Sequence, residues 1–349
     1  MPIARGLTLF TSDSRLLYAT DVLNCLALPS GVQYQFRYES KYISPEIKHE
    51  FENLSPSGTK ALVVFRENAP SNDNAPFMVP IRWVIIQHVE LIADFYIIRF
   101  RLEGYPIPSQ EYTGDKESIQ LHCSKYLLQL NQIARNLPVQ LGLTSFVDLK
   151  ATSDRAFWID VAKRLAQHST FAATHFIRVA NISNGSGKEL PMSSGSEYIL
   201  TEKEYSTITL DYFAISYHEH NATLKLSSDA DVIRIACGGN IMLNSRYDSR
   251  RVSIQAGQVA GATATELEIF THDDRRGVPQ TRLSIPFSVK RSRKAILIKI
   301  AATAVGATLV AMPGIVGASV DSIVRITIAL LGALVLTCGA VLDQKSTKP

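Results

Sequence analysis

Cysteine is scarce in this sequence, and the four that occur lie far apart. They form no CxxC pair, and the last of them falls in an apolar stretch near the C-terminus; they are Cys25, Cys123, Cys237 and Cys338. This spacing speaks against a disulfide framework and favours free thiols in a reducing compartment. The N-terminus also lacks a continuous apolar run, so the sequence predicts no signal peptide.

The body of the chain lacks an excess of positive charge. Over all 349 residues the net charge is +4, from 36 basic and 32 acidic residues. Eight of the basic residues and two of the acidic ones lie from Lys290 onward, which leaves 28 and 30, a net −2, in 1–289. Because a nucleic-acid-binding domain carries positive charge on its folded surface, this balance argues against nucleic acid as a partner.

Catalytic signatures are missing as well. The sequence contains no GxSxG, no HExxH and no GxGxxG motif. The peptide NGSGK at 184–188 resembles part of a phosphate-binding loop, but a Walker A loop needs glycine where this chain has Ile182, so a turn is predicted. We therefore predict no catalytic residue and no cofactor.

Two histidine-containing clusters are candidate polar sites. His218-Glu219-His220 offers two potential metal ligands on one strand face, but no third ligand lies at suitable spacing. The stretch 272–276, HDDRR, precedes a glycine and predicts a solvated hairpin turn. Neither cluster supports a metal site, so no metal is predicted.

The C-terminal region contains two long apolar segments. Residues 295–320 contain one charge, Lys299, and residues 323–342 contain one charge, Arg325. About 20 apolar residues suffice to cross a bilayer. We therefore predict a transmembrane hairpin in 291–349, with spans at about 295–316 and 323–342. The alternative is a pair of buried or re-entrant helices.

Basic flanks set the predicted orientation of this hairpin. A basic collar precedes the first span and consists of Lys290, Arg291, Arg293 and Lys294. By the positive-inside bias, both termini and the β-rich domains would lie in the cytosol, at the inner (cytoplasmic) membrane. The residues expected to govern kinking and helix association in the hairpin are Lys299, Gly306, Pro313, Gly314 and Arg325.

Residues 1–112 are predicted to form a β-rich domain with one short helix. The segment VQYQFRY at 32–38 alternates between apolar and polar side chains, which is typical of a half-buried strand. Segments 60–67, 77–87 and 92–102 continue this pattern. Residues 20–28 fit a helix capped by Thr20 or Asp21. A small barrel or twisted sheet is expected.

The middle of the chain changes periodicity twice. Residues 113–170 predict a helical connector, with helices at 118–137 and at 153–168, the second capped by Ser153. It would pack on a β-domain or, alternatively, bind a partner. Residues 171–290 contain about eight short strands separated by turns, which predicts an antiparallel sandwich of immunoglobulin-like type. The predicted fold class is mainly β, followed by two transmembrane helices.

The stretch NSRYDSRR at 244–251 is the most distinctive polar segment of the predicted sandwich. It combines cations with an aromatic ring and a carboxylate, and its candidate binding residues are Arg246, Tyr247, Asp248, Arg250 and Arg251. Guanidinium groups bind phosphate and carboxylate groups well, so this segment is our candidate ligand- or partner-binding site. The alternative is a polar turn with a packed tyrosine.

Three hypotheses of function follow from this layout. The first is a non-enzymatic, membrane-anchored sensor or effector that perturbs the bilayer, as expected of a component of a prokaryotic antiviral defence system. Its expected partners are the lipid bilayer, other proteins and further copies of the chain through the hairpin, but no nucleic acid. The second hypothesis is a passive scaffold or adaptor of a larger complex, and the third is a membrane-bound enzyme.

Overall fold

A computed structural model describes most of the two predicted β-rich regions. The described residues are 5–11, 16–43, 45–53, 57–67, 77–107, 141–145, 150–215, 222–236, 239–243, 245–273 and 277–292, with 303, 305, 326–331 and 333 nearer the C-terminus. Strands dominate this part of the chain. It is mainly β, as the alternating patterns indicated.

An N-terminal sheet is built from six strands. They are β1 (Arg5–Thr11), β2 (Gln33–Glu39), β3 (Lys60–Glu67), β4 (Phe77–Ile92), β5 (Phe95–Leu102) and, after the short β6 (Tyr105–Ile107), β7 (Leu141–Ser145). Their order in the sheet is β2-β5-β4-β3-β1-β7, with β1 parallel to β3. In β2, Phe36 and Tyr38 are buried whereas Gln35 and Arg37 are exposed, which confirms the predicted alternation.

Among the residues that the structure describes, three short helices flank this sheet. They are α1 (Leu16–Ala27), α2 (Pro45–Asn53), which follows a 3-10 turn at Ser40–Tyr42, and α3 (Arg155–Leu165), which follows β8 (Lys150–Thr152). Helix α1 begins earlier than predicted, so Thr20 and Asp21 lie inside the helix instead of capping it. The predicted helix at 118–137 lies outside the described residues.

Helix α3 starts where its sequence offers a side-chain acceptor. The carboxylate of Asp154 accepts a hydrogen bond of 2.9 Å from the N–H of Ala156, so Asp154 is the N-cap and not the predicted Ser153. The apolar residues of the helix recur at spacings of three and four, and the buried ones are Trp158, Val161, Ala162 and Leu165. This stripe faces the interior, as expected for an amphipathic helix.

The region after α3 folds as a two-sheet sandwich, with nine strands among its described residues. They are β9 (Phe176–Asn184), β10 (Tyr198–Thr201), β11 (Tyr205–Phe213), β12 (Ala222–Ser228), β13 (Ile233–Ile235), β14 (Asn240–Leu243), β15 (Tyr247–Ala256), β16 (Thr263–His272) and β17 (Arg282–Lys290). One sheet has the order β9-β11-β15-β13 and the other β10-β17-β16-β12-β14. The first sheet and the β12-β16-β17 core of the second follow the ABED and CFG orders of immunoglobulin-like domains.

Helix α1 joins the two β units. It packs against β4 of the N-terminal sheet and against β9 and β17 of the sandwich. Its Val22 and Leu26 are buried in this contact region. The side chain of Asn24 accepts a hydrogen bond of 2.9 Å from the N–H of Arg282, at the start of β17. A helix from the first unit therefore satisfies a backbone donor of the second.

Arg82 of β4 holds the C-terminal end of α1 against the sheet. Its guanidinium donates to the carbonyl oxygens of Cys25, Leu28 and Glu103 and to the hydroxyl of Ser30. The last turn of a helix leaves carbonyl groups without helical partners, and a cation there also complements the helix dipole. These bonds compensate for the burial of the guanidinium group in a residue that is only 2% exposed.

The two predicted transmembrane helices require correction. Among the described residues, no helix is long and apolar enough to cross a membrane. The longest, α1, has 12 residues, well short of the ~20 that a span needs. The structure thus contradicts the hairpin in the predicted fold class and the inner-membrane location inferred from it.

Most of the predicted hairpin lies outside the described residues. Within its spans the structure describes residues 303, 305 and 326–331, with residue 333, all of them helical. Ile326, Leu330 and Leu331 are more than half exposed. The residues assigned to kinking and association all lie outside; they are Lys299, Gly306, Pro313, Gly314 and Arg325. A run of apolar residues shows that a segment is hydrophobic, but it does not by itself establish that the segment forms one continuous helix.

Candidate functional site

The candidate segment at 246–251 forms the entry into strand β15. Arg246, Ser249, Arg250 and Arg251 are exposed, and Tyr247 is 41% exposed. The second half of the same strand is different, since its alternate residues from position 252 to 256 are buried in the sandwich core. One strand thus anchors itself at one end and presents a polar surface at the other.

The candidate residues are divided between the two faces of the sheet. In the register with β11, Arg250 lies opposite Leu210, whereas Arg251 lies opposite Thr209. Because successive side chains of a strand point to opposite faces, Asp248 and Arg250 share the inner face, and Tyr247 and Arg251 share the outer one. The segment therefore lies on both faces of the strand and does not converge on one pocket.

Two of the arginines are positioned by neighbouring side chains. Arg250 Nε lies 2.7 Å from the Asp248 carboxylate. The Arg246 guanidinium lies 5.8 Å from the centre of the Tyr247 ring, which packs in turn against Phe213 at 5.1 Å. Both contacts restrict flexible side chains and so reduce the entropy that a bound partner would have to remove.

Arg178 and Asp211 form a buried network beneath this surface. Arg178 on β9 donates to the Asp211 carboxylate on β11 through two N–H groups at 2.8 Å each, and it also donates to the carbonyl of Ser153. Its guanidinium lies 5.4 Å from the Trp158 ring of α3. These contacts hold α3 against the outer face of the β9-β11-β15-β13 sheet of the sandwich.

Arg155 connects this network to the candidate segment. Its Nε lies 3.6 Å from an oxygen of Asp211, and its terminal nitrogen donates to the carbonyl of Asp248 at 3.2 Å. The arginine is 41% exposed, so it extends the cationic surface next to β15. Sequence reasoning missed Arg155, Arg178 and Asp211. The available signal was a single charge inside each of two otherwise apolar strands, as in HFIRVANI and TITLDYFAI.

The surface carries more positive than negative charge. Arg246, Arg250 and Arg251 oppose only Asp248 along the segment itself. Within the described part of the chain, the side chain of Arg251 makes no hydrogen bond or ion pair. Arg234 of β13 extends the same outer face. Unpaired guanidinium groups offer planar, bidentate donors to carboxylate or phosphate groups. The arrangement is suited to binding anions.

The other polar motifs form turns or lie outside the described residues. In NGSGK, Asn184 accepts hydrogen bonds from the N–H groups of Ser186 and Lys188, which confirms a turn. His218 and His220 lie outside the described residues, and the residues that are described contain no cluster of metal-ligating groups. Of the basic collar, Lys290 ends β17 and Arg291 follows it, whereas Arg293 and Lys294 lie outside.

Asp273 is not part of a solvated turn, contrary to prediction. It is 6% exposed, and its carboxylate lies 3.2 Å from Nε2 of His175. Nδ1 of the same imidazole lies 2.7 Å from the hydroxyl of Tyr212. Each of the three side chains is less than one-tenth exposed, so this group links strands inside the sandwich core and presents nothing to a substrate. Residues 274–276 lie outside the described part.

A second, partly buried polar group joins α1 to β2. The Tyr34 hydroxyl donates to Asp21 at 2.8 Å and accepts from Asn24 at 3.0 Å. Burial raises the pKa of Asp21 above its usual range, and the hydrogen bond from Tyr34 offsets part of this effect. Burial also raises the pKa of Cys25 well above its ordinary value, so this thiol is not a reactive nucleophile.

Comparison with known proteins adds little to this geometry. No family model matches the sequence. No curated protein matches it either. Among solved structures, the chain resembles the ASH / PapD-like domain of human CEP192 (PapD-like domain 7) at 16% identity, covering 34% of this chain and 86% of that domain, with a TM-score of 0.22. At that TM-score, the likeness carries no weight for function.

Proposed function

We propose that this protein is a non-enzymatic adaptor that binds an acidic segment of a partner protein through the arginine surface of β15. This is the adaptor hypothesis raised by the sequence, without its membrane attachment. The observation that carries it is the exposed group Arg246, Arg250 and Arg251 on a strand that the sandwich core holds in place. Rigid presentation of guanidinium groups favours carboxylate-bearing partners.

Supporting contacts come from α3 and β9. The Arg178–Asp211 pair fixes the N-terminal end of α3, and Arg155 from that end donates to the backbone of β15. Building a binding surface on a strand and a helix positions its groups better than a loop would. The effector hypothesis depended on a membrane hairpin, so it loses the feature from which it was inferred.

A direct binding measurement tests this proposal. The full-length protein is titrated into a fluorescein-labelled peptide of alternating Glu and Thr, eight residues long, and anisotropy is recorded at low and at physiological salt. Binding is expected, and it should weaken as salt screens the charges. The charge-reversal variant R250E/R251E is expected to weaken binding by roughly tenfold or more, since each reversal replaces attraction by repulsion.

Matched controls make the outcome specific. Arg282→Glu reverses an exposed arginine on the opposite sheet and should leave the affinity unchanged. An oligothymidylate of similar charge serves as competitor. If R250E/R251E and R282E bind the peptide equally well, or if the oligonucleotide binds more tightly than the peptide, the proposal is wrong.

A further inference from the structure

In the described part of the chain, strand β15 has an open edge beside the arginines. It pairs with β11 along its whole length, from Tyr247 to Ala256. On its other side, β13 pairs only with residues 254–256, and the N–H of Ala236 adds one bond to the carbonyl of Ser253. Among the described residues, no strand pairs with that side of β15 between positions 247 and 252. At about 3.4 Å per residue, this edge is about 17 Å or more in length.

The direction of the backbone groups along this edge follows from the bonds that do form. The carbonyl of Ser253 and the N–H of Gly257 bond towards β13, whereas Ala256 and Arg246 bond towards β11. Because the backbone groups of a strand alternate in direction, those of Tyr247, Ser249 and Arg251 point to the open side. An edge of this kind is a template for an additional strand.

Asp248 occupies part of the edge in this structure. One oxygen of its carboxylate accepts the N–H of Ser249 at 2.7 Å, and the other accepts from Arg250. The hydroxyl of Ser245 donates to the carbonyl of Tyr247 at 3.1 Å. These side chains supply bonds that a neighbouring strand would otherwise make. The Arg251 backbone has no such substitute among the described residues.

We propose that the β15 edge takes up an extended, acidic segment of a partner protein as an additional strand, in line with β13. This inference rests on the proposed adaptor function and specifies its binding mode. Main-chain hydrogen bonds to Ser249 and Arg251 provide affinity, and alternate carboxylates meet Arg251 on the outer face or Arg250 on the inner face. Charge complementarity selects the acidic partner, because an edge flanked by arginines repels a basic strand.

Asp248 acts as a gate in this scheme. The incoming strand has to displace the Asp248 carboxylate from the N–H of Ser249, and the displaced charge repels an acidic ligand. Removing that charge should therefore tighten binding, which is the opposite of what is expected for a residue that contacts the ligand favourably. The structure thus predicts that Asp248→Asn raises the affinity for the Glu/Thr peptide by several-fold.

Two peptides with identical charge test the strand-addition mode. One is the labelled Glu/Thr peptide, and the other is the same peptide N-methylated at every residue, which keeps its carboxylates but cannot donate a main-chain hydrogen bond. The full-length protein is expected to bind the methylated peptide at least roughly tenfold more weakly, since an unmade main-chain bond is costly at each position. Amide hydrogen exchange across 247–252 should slow when the unmodified peptide is bound.

The possible results separate this inference from the adaptor function. If both peptides bind with equal affinity and R250E/R251E abolishes both, strand addition is wrong while the adaptor proposal stands. If neither peptide binds at low salt, the adaptor proposal is wrong as well. If Asp248→Asn weakens binding, Asp248 acts by ordering Arg250 and the proposed gate is wrong. A weaker methylated peptide, a tighter Asp248→Asn variant and protected amides together support the inference.

Discussion

Arg178 and Asp211 meet across neighbouring strands in a fully formed two-bond ion pair inside the protein. Both N–O distances are 2.8 Å, and the two side chains are 7% and 5% exposed. Both bonds from Arg178 go to the same oxygen of Asp211, Oδ2. Nε of Arg155 lies 3.6 Å from the other oxygen, Oδ1. Removing only one partner of such a pair should strongly destabilise the protein, because the other charge is then buried without compensation.

The Asp211→Leu variant tests that dependence. It leaves the buried Arg178 guanidinium without its carboxylate, so the free energy of unfolding should fall by about 3–5 kcal/mol. The double variant R178L/D211L should recover a large part of that loss, since it removes both charges. Urea denaturation of the three proteins measures the effect. Asp160→Ala, which breaks a partly exposed i,i+4 pair with Arg164, should cost only about 0.5 kcal/mol. Equal losses for D211L and the double variant would contradict the expectation.

Replacement of Arg82 should loosen the attachment of α1. Arg82→Leu removes a donor from the carbonyl oxygens of Cys25, Leu28 and Glu103, but that of Glu103 still accepts from the Ser30 hydroxyl. At about 1 kcal/mol or more for each of the two carbonyl groups left unpaired, the expected loss of stability is about 2–3 kcal/mol. Chemical denaturation measures it, with Arg99→Leu as the control on the neighbouring strand, where the arginine is half exposed. A loss no larger than that of the control would show that water replaces the guanidinium.

Asp21 should make stability depend on pH in a predictable direction. Since its folded-state pKa is raised above 3.8, the folded protein holds this proton to a higher pH than the unfolded chain does. Stability from this residue is therefore complete below pH 3.8 and is lost as the pH rises through the folded pKa. Asp21→Asn keeps an acceptor for Tyr34 and removes the charge.

Denaturation of wild type and Asp21→Asn should thus differ more at pH 7 than at pH 4, with the variant gaining relative stability as the pH rises. Asp94→Asn, at the exposed tip of the β4–β5 hairpin, provides the control. A difference that stays constant between the two pH values would mean that the carboxyl group is solvated in the folded protein.

Ala93 occupies a backbone conformation that favours glycine. It lies at the turn between β4 and β5 with φ of 52°, in the left-handed region that costs an alanine about 1–2 kcal/mol. Ala93→Gly removes this strain but increases the entropy of the unfolded chain, so a net gain of about 0.5 kcal/mol is expected. Thermal denaturation tests it against Asp94→Gly, a neighbour without a positive φ. Destabilisation by Ala93→Gly would contradict the prediction.

The β structure was well predicted where one face of a strand is buried and the other is exposed. In β2, alternation alone assigned the orientation of each side chain, and β3 was bounded correctly at Lys60 and Glu67. Helix α1 was placed too late, because its first residues precede the apparent cap at Thr20 and Asp21. The residue types that cap helices also occur inside them, so the sequence alone does not distinguish a cap from a polar residue within a helix.

The candidate site was predicted only in part, for a geometric reason. The sequence identified the exposed arginines at 246–251, but adjacent residues of a strand point to opposite faces, so the group was split around an edge. The supporting residues Arg155, Arg178 and Asp211 come from α3, β9 and β11, and no local pattern brings them together. The buried Asp273 was missed similarly, since its partner His175 lies almost a hundred residues earlier.

The position of α1 between the two β units makes them interdependent. Its apolar side chains are covered from both directions, and Asn24 completes the hydrogen bonding of Arg282 at the start of β17. Neither unit is therefore a separable module. Expression of 171–292 alone would expose the sandwich surface that packs against α1, and expression of the first unit alone would expose the face of α1 that packs against the sandwich. The two halves should melt in a single cooperative transition, and a partner bound at β15 would stabilise the N-terminal sheet as well.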